Sequence, residues 1–346
     1  MRNVAERQNG NDDIDLFQLV RLIGGQKALV VIVTITVTLC ALAYAMLSTP
    51  IYEARVVVRT PTQDDISQIN IGRGEGTGLG LLSVKDVYGV YLSNLQSQAL
   101  RRKFFQEVYL PSLVEGARQG SQDQLYAEFN KILAVSVVGP TAPDRYSVVV
   151  TLPNPKVAAD WVAQYLQMTS DWSKQELAKD LRADALGKAE RLGRQIDAGR
   201  NAARKVRDDQ IARLTEALNI ARSIGLEKPP LIANTLSTEV SAGMEGTLTY
   251  MRGTKALEAD IDNLRKRTSD DPFVQGLREN QGTMQFYRDL HVNTDAVRLY
   301  RQDGAIEVPD RPVKPKKTLI VLLGVVAGLL LGICLALYRG ARNRTT

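Results

Sequence analysis

Two long runs of uncharged, apolar residues constrain this chain more than any other feature of its sequence. Residues 29–47 and 319–338 contain no Asp, Glu, Lys or Arg, and Val, Leu, Ile and Ala dominate both. A helix of about 20 apolar residues crosses the roughly 30 Å hydrocarbon core of a bilayer. The sequence therefore predicts transmembrane helices at 29–47 and 318–338, with the large segment 48–317 between them.

The first run contains ALAYAM, whose A-x-A pattern could mark a signal-peptide cleavage site. The 28 residues before it argue against that interpretation, because a signal peptide begins with a short basic segment and this one carries acids: Glu6, Asp12, Asp13 and Asp15. A lipoprotein signal is also excluded, since bulky Leu39 precedes Cys40 where a small residue is needed. We therefore interpret the first run as a retained span.

The charges around the first span predict its orientation. Arg21 and Lys27 precede it and no cation follows closely, so the rule that cytoplasmic flanks are basic places 1–28 in the cytoplasm. Two spans return 339–346 to the same side. The outer flank of the second span carries the opposing evidence, Arg311, Lys314, Lys316 and Lys317, but charge counting does not extend to so long a loop. Segment 48–317 lacks cysteine, which suits a domain in the bacterial periplasm that needs no disulfide.

The composition excludes several classes of site. Cys40 and Cys334 both lie in apolar runs and His291 is the sole histidine, so neither a disulfide framework nor a His-based metal site is expected. The net charge of +6 is spread along the chain without a basic, aromatic-interleaved stripe, which argues against nucleic acid as a partner. Acidic neighbours such as Asp270 and Asp271 diverge on a helix, and we interpret this pair as a helix cap. We assign no catalytic residue, no cofactor and no metal.

The segment after the first span predicts a small mixed α/β base, built from about 50–155 and 292–310. Strands are expected at 52–59, 132–138 and 145–152, with a helix at 84–108. The glycine-rich segment 72–80 fits neither phosphate-loop spacing, so we interpret it as a mobile loop. A last strand at 297–309 would return the chain to the sheet.

Segment 156–290 predicts a long helical hairpin. Asn154 and Pro155 are a cap and a first-turn residue, and the following 70 residues would form a helix on the order of 100 Å long, with a possible break at 170–174. One apolar stripe comprises Leu192, Ile196, Ala203 and Val206. It shifts, as at a coiled-coil stutter, and resumes at Ile211, Leu214, Leu218 and Ala221. The return helix supplies Leu257, Ile261 and Leu264. The fold class predicted is an α+β membrane protein with two flanking spans.

The segment leading into the second span combines three patterns. Pro309, Pro312 and Pro315 recur every third residue, which is the period of a semi-rigid polyproline II spacer. This candidate proline collar carries candidate headgroup contacts at Lys314, Lys316 and Lys317. Candidate packing residues within the span are Gly324, Gly328 and Gly332, which share one face and allow close helix approach in lipid.

The order DDIDLFQLVRLIGGQK, first span, YEARVVV, and finally VPDRPVKPKK before a glycine-rich span resembles the Wzz-type chain-length determinants among the polysaccharide co-polymerases. IGGQK departs from the pattern, because many relatives have an aromatic residue there. The resemblance implies an inner-membrane protein with a periplasmic domain, a homo-oligomer, and control of the modal length of O-antigen made by a Wzy-type polymerase. Membrane lipid and the growing polysaccharide are further expected partners.

Some polysaccharide co-polymerases carry a cytoplasmic kinase, which needs a phosphate-binding loop. Only eight residues follow Tyr338, so we expect no kinase here and predict a non-enzymatic regulator. The glycine face could contact the first span, a neighbouring subunit or the polymerase. The alternative function is a two-span periplasmic adaptor or scaffold of an exporter or another polysaccharide assembly system.

Overall fold

The computed structural model describes residues 26–230 and 246–342, and the predictions made for 1–25, 231–245 and 343–346 lie outside it. The strands are β1 (Tyr52–Arg59), β2 (Leu133–Val137), β3 (Tyr146–Leu152) and β4 (Arg301–Gln302). The helices are α1 (Lys27–Leu47), α2 (Val84–Leu95), α3 (Gln98–Phe104), α4 (Glu115–Arg118), α5 (Gln122–Ile132), α6 (Pro155–Ser223), α7 (Thr254–Lys266), α8 (Leu277–Asp289) and α9 (Lys317–Arg342). Helix α3 continues through a π-helical turn (Phe105–Tyr109) and one further turn (Leu110–Ser112).

Two helices are long and apolar enough to cross a membrane, Lys27–Leu47 and Lys317–Arg339. The chain divides into two compact units. The first contains the described residues up to Pro61, then 88–173, and those from 298 onward. The second contains 62–87 and the described part of 174–297, so the glycine-rich segment belongs with the helical unit.

The sheet of the first unit has the order β2-β3-β1-β4, and each pairing is antiparallel. Side chains alternate between the two faces of β1, and Ala54, Val56 and Val58 are buried on the same face. Val148 of β3 pairs with Val56 and is buried too. The predicted β-α-β-β order is confirmed, as is the return of the C-terminal segment to this sheet. The final strand is shorter than the predicted 297–309, since it covers only Arg301–Gln302. Its C-terminal end is followed by Asp303, whose N–H donates to the Val57 carbonyl at 2.8 Å, and then by Gly304, whose φ of +102° departs from a strand conformation.

The predicted helix 84–108 is two helices. Helix α2 ends at Leu95, and the Ser97 hydroxyl caps α3 by accepting bonds from the backbone N–H groups of Ala99 (3.2 Å) and Leu100 (3.5 Å). An aromatic cluster then forms the core, with the Phe104 ring centroid 5.3 Å from that of Tyr165. The break between the two helices therefore leaves the N-terminus of α3 capped.

The long helix α6 is confirmed, and so is its start. The Asn154 side chain accepts from the N–H groups of Lys156 (3.0 Å) and Val157 (3.3 Å), and Pro155 is the first helical residue. The possible break at 170–174 does not occur. The Thr169 and Ser173 hydroxyls donate to carbonyls four residues earlier, both at 2.7 Å, and so stay satisfied within a continuous helix.

The hairpin seam lies in the second unit. Leu214, Leu218 and Ala221 of α6 pack on Leu257, Ile261 and Leu264 of α7, as predicted. The prediction for Val206 is wrong, because its side chain is 60% exposed. The seam runs instead through Arg200 and Arg207, which pair with Asp271 (2.8 Å) and Asp270 (2.9 Å).

This pairing also corrects the interpretation of the two aspartates as a cap. Asp270 stands at the N-cap position of a short 3-10 helix (Asp271–Phe273), yet its side chain makes no capping bond. Its carboxylate is used by Arg207 instead, and that of Asp271 by Arg200. The hydrogen bond from Arg200 holds the pKa of Asp271 below its usual value.

Segment 72–80, which we call the glycine clasp, is a packed turn and not the mobile loop predicted. Gly72, Gly74, Gly76 and Gly78 all have positive φ, a conformation that favours glycine. The Gly74 N–H donates to the Leu79 carbonyl at 2.8 Å, and Tyr287 of α8 donates its hydroxyl to the Thr77 carbonyl at 2.5 Å. Leu79 packs against Ala185 and Ala189 of α6. The glycines at every second position from 72 to 78 therefore allow the backbone to turn, and residues between and after them supply the contacts.

Candidate functional site: the paired spans and their outer ends

The two apolar helices pack against each other along a face of small residues. Gly324, Gly328 and Gly332 of α9 are buried, and Ala336, which the glycine spacing alone did not indicate, continues the same four-residue step and is 0% exposed. On α1, the small residue Ala45 is also buried, at 1% exposed. Small side chains at this spacing let two helix backbones approach closely in lipid.

Each glycine lies against a particular residue of α1. A Cβ placed on Gly324 would lie 2.6 Å from the Cβ of Ala41, one on Gly328 would lie 2.9 Å from the Cα of Thr34, and one on Gly332 would lie 3.0 Å from the Cα of Val30. The contacts move toward the N-terminus of α1 as they move toward the C-terminus of α9, so the helices are antiparallel. Of the three partners left open for the glycine face, the structure brings it to the first span.

The threonines of α1 add no hydrogen bond across this face. Thr34 donates to the Val30 carbonyl at 2.8 Å, and Thr38 donates to the Thr34 carbonyl at 2.7 Å. Both hydroxyls therefore bond back to their own helix, as threonines inside helices commonly do. Close backbone packing therefore joins the two helices, and these two threonine hydroxyls add no bridge between them.

The chain segments leaving the two helices meet again directly outside them. The Ile51 N–H donates to the Lys314 carbonyl at 2.9 Å, and the Val313 N–H donates to the Ile51 carbonyl at 2.8 Å. Ile51 immediately precedes β1, and Lys314 lies three residues before α9. The same backbone pairing therefore fixes the outer ends of both helices to the sheet.

The proline collar lies in a stretch without helix or strand between β4 and α9. Pro309 and Pro315 are half-buried and Pro312 is exposed, and the peptide bond between Lys314 and Pro315 is cis. Lys314, Lys316 and Lys317 are exposed, and Lys317 is the first residue of α9. The lysines thus stand at the end of α9 that is nearest the sheet.

Perturbed groups elsewhere in the first unit are structural. Tyr91 stacks on Tyr300 with ring centroids 4.5 Å apart, and burial raises the pKa of the Tyr91 phenol. Burial also raises the pKa of Tyr165 to about 12, and its hydroxyl donates to the Leu95 carbonyl at 2.7 Å. These phenols are held neutral inside the core. Across residues 26–230 and 246–342, no three His, Cys, Asp or Glu side chains are grouped as a metal site would need.

Comparison with known proteins agrees with this architecture. Residues 12–108 match the Wzz family, described as chain length determinant protein, and residues 297–341 match a family described as the G-rich domain on putative tyrosine kinase. A chain length determinant protein of Escherichia coli O111:H- is 22% identical over 98% of this chain and 95% of its own length. One from Shigella dysenteriae is 25% identical over 98% and 96%.

Solved structures show the fold. A full-length bacterial polysaccharide co-polymerase superposes with a TM-score of 0.66 at 21% identity, covering 95% of this chain and 99% of its own. The wild-type O-antigen chain-length regulator WzzB of Shigella flexneri gives 0.52 at 17% identity, covering 75% and 99%. The chain therefore has the fold of the polysaccharide co-polymerases. Within that class, it is similar along almost its whole length to the relatives described as chain length determinant proteins.

Proposed function

We propose that this protein regulates the length of a polysaccharide, setting the modal length of lipopolysaccharide O-antigen from the bacterial inner membrane. The observation that carries the proposal is the match to the polysaccharide co-polymerase fold over 95% of the chain. Both termini would be cytoplasmic and 48–317 periplasmic, which the cations Arg21 and Lys27 before the first span support. The role needs no catalytic residue, because the protein would act by holding other components.

The paired spans would be the part that holds a Wzy-type polymerase. Gly324, Gly328 and Gly332 are occupied by the first span, so the polymerase would contact the outward faces of the pair. These faces are apolar, with Leu323, Val326 and Leu330 at least half exposed. The growing polysaccharide would pass beside the periplasmic units.

The assembly would be a homo-oligomer. Its support within the chain is the exposure of apolar side chains in the second unit along α6 and directly after its end, where Val206, Ile220 and Ile224 are 60%, 47% and 57% exposed. Side-by-side packing would cover them. Native mass spectrometry of the detergent-solubilised chain should give a multiple of the 38.1 kDa subunit, and a monomer at all concentrations would contradict this part of the proposal.

The decisive experiment uses a bacterium that makes O-antigen but lacks its own chain-length regulator. Expression of this chain should convert a random distribution of lipopolysaccharide lengths on a gel into a modal one, with the total polymer unchanged. An unaltered ladder from a correctly inserted protein would reject the proposal. Unaltered banding together with failed export of another polymer, on deletion of the gene in its own host, would favour the exporter adaptor.

A further inference from the structure

The lysine-bearing end of α9 carries a shallow, open groove along the surface of that one helix. The groove has a volume of about 430 Å³ and is lined by Lys317, Thr318, Val321, Leu322 and Val325. From Lys317 to Val325 a helix rises about 12 Å, close to the roughly 15 Å of one leaflet, half the hydrocarbon core. The groove is therefore apolar for most of its length and cationic at one end.

The cations at this end lack counter-charges. Lys314, Lys316 and Lys317 are all exposed, and within the described part of the chain none of them forms an ion pair. The nearest acid in sequence, Asp310, lies 4.0 Å from Arg311, and both of those side chains are at least 90% exposed. Positive charge thus accumulates just where the groove begins.

These lysines are also held in place. The carbonyl of Lys314 accepts the Ile51 N–H at 2.9 Å, which ties the segment to the sheet, and Lys317 begins α9. Three cations between two fixed points can converge on one anion with little loss of backbone freedom. A free phosphate would use the charges only, whereas a phospholipid would use the charges and the groove together.

We propose that Lys314, Lys316, Lys317 and the groove form a binding site for one anionic glycerophospholipid. Its phosphate would lie among the ammonium groups, and one acyl chain would lie along Val321, Leu322 and Val325. The inference rests on the proposed function only in requiring that α9 crosses a membrane. It adds a selective lipid ligand to a surface that would otherwise contact lipids of any charge.

The test uses the full chain in nanodiscs that contain equal amounts of phosphatidylglycerol and phosphatidylcholine. Lipids retained after gentle release are counted by native mass spectrometry. Each lysine near an anionic headgroup should contribute about fivefold in affinity. The wild type should therefore retain phosphatidylglycerol preferentially, and the triple variant K314Q/K316Q/K317Q should lose that preference more than tenfold. The triple arginine variant K314R/K316R/K317R, with its charge conserved, should keep it.

Two neighbouring valines test the groove itself. Val325→Phe would fill it and should reduce the retained phosphatidylglycerol, whereas Val326→Phe, which does not line it, should leave retention unchanged. Equal retention of both lipids by the wild type, an unchanged preference in the glutamine variant, or equal effects of the two phenylalanines would overturn the proposal. Displacement of phosphatidylglycerol by an equimolar polyprenyl diphosphate would overturn its assignment to a glycerophospholipid.

Co-flotation with vesicles separates this inference from the proposed function. A wild-type chain that fails to float with lipid would overturn both, because neither helix would then be inserted. A chain that floats but shows no lipid preference would overturn the lipid site alone.

Discussion

The Cα of Gly328 faces the backbone of Thr34 so closely that a Cβ added to Gly328 would lie 2.9 Å from the Thr34 Cα and 3.1 Å from the Thr34 carbonyl oxygen. Real Cβ atoms do not approach backbone at that distance, so even alanine at this position would separate the helices. The middle of the seam between α1 and α9 is thus set by backbone, which cannot move aside as a side chain can.

Replacing Gly328 with Leu should therefore force the two spans apart and shift the modal length of the polysaccharide, while the amount of protein holds. Overpacking of a close interface typically costs about 1–3 kcal/mol. Lipopolysaccharide gels and immunoblots measure the two quantities. Ala327→Leu is the matched control, because Ala327 is exposed on the neighbouring position. A length distribution unaffected by Gly328→Leu would show that close packing of the spans is not needed for function.

The ion pair between Arg200 and Asp271 predicts a pH-dependent stability of the second unit. The pKa of Asp271 is lowered in the fold by its hydrogen bond to Arg200, so its contribution is complete above the ordinary value of 3.8 and is lost as the pH falls through the lower, folded pKa. Asp271→Asn should lower the Tm at neutral pH, and the difference from wild type should shrink below pH 3.8. Thermal unfolding of the solubilised chain measures it. Asp262→Asn, which alters an exposed pair with Lys266, should produce little change; an equal loss would count against the seam position of Asp271.

The glycine clasp offers a comparison of two alanine substitutions two residues apart. Gly78 has φ of +67°, and a Cβ there would lie 3.0 Å from the Tyr287 hydroxyl. Gly80 has no positive φ and nothing within 4 Å of such a Cβ. Gly78→Ala should destabilise the second unit by about 1–2 kcal/mol, whereas Gly80→Ala should be neutral or slightly stabilising. Denaturant unfolding measures both, and equal stability of the two variants would mean that the clasp conformation is not required.

The free energy of unfolding should respond differently to loss of the hydroxyl at two buried tyrosines. Tyr165→Phe removes the bond to the Leu95 carbonyl and leaves that acceptor unpaired, at a cost of about 1–2 kcal/mol. The Tyr91 hydroxyl is buried and, among the described residues, has no hydrogen-bond partner. Tyr91→Phe should therefore leave the free energy of unfolding unchanged or raise it. A loss at Tyr91 as large as at Tyr165 would reveal a partner for that hydroxyl, such as a buried water.

The helical seam illustrates what the sequence could and could not predict. Apolar spacing alone located Leu214, Leu218 and Ala221 correctly, because they pack on apolar residues of α7. It failed between Ile196 and Ile211, where Arg200 and Arg207 occupy the seam and pair with aspartates 71 and 63 residues further along the chain. With these arginines counted, steps of three and four residues run unbroken through 196, 200, 203, 207, 211 and 214. The apparent stutter was a change of chemistry, not of helical phase.

The candidate site, too, was predictable from the sequence only in part. Glycine spacing indicated a packing face on the second span, and Ala336 could have been added by extending the four-residue step. The pattern carried no information about the partner, since small residues suit any close helix. The pairing of Ile51 with Lys314 had no sequence signal, because a two-residue backbone contact between distant segments imposes no periodicity on either. The packed structure of the glycine clasp was not predicted, because its glycines were taken to indicate a mobile backbone. The contacts that hold it come from other residues of the segment, such as Thr77 and Leu79.

The pairing of Ile51 with Lys314 makes the outer ends of the two spans mechanically continuous with the sheet. A span joined to its domain by a loose linker can rotate or tilt without the domain responding. Here a torque on either helix is carried by peptide hydrogen bonds into β1 and, through β1, into its neighbours. A protein that binds the paired spans from the side and rotates them would thereby rotate the sheet as well.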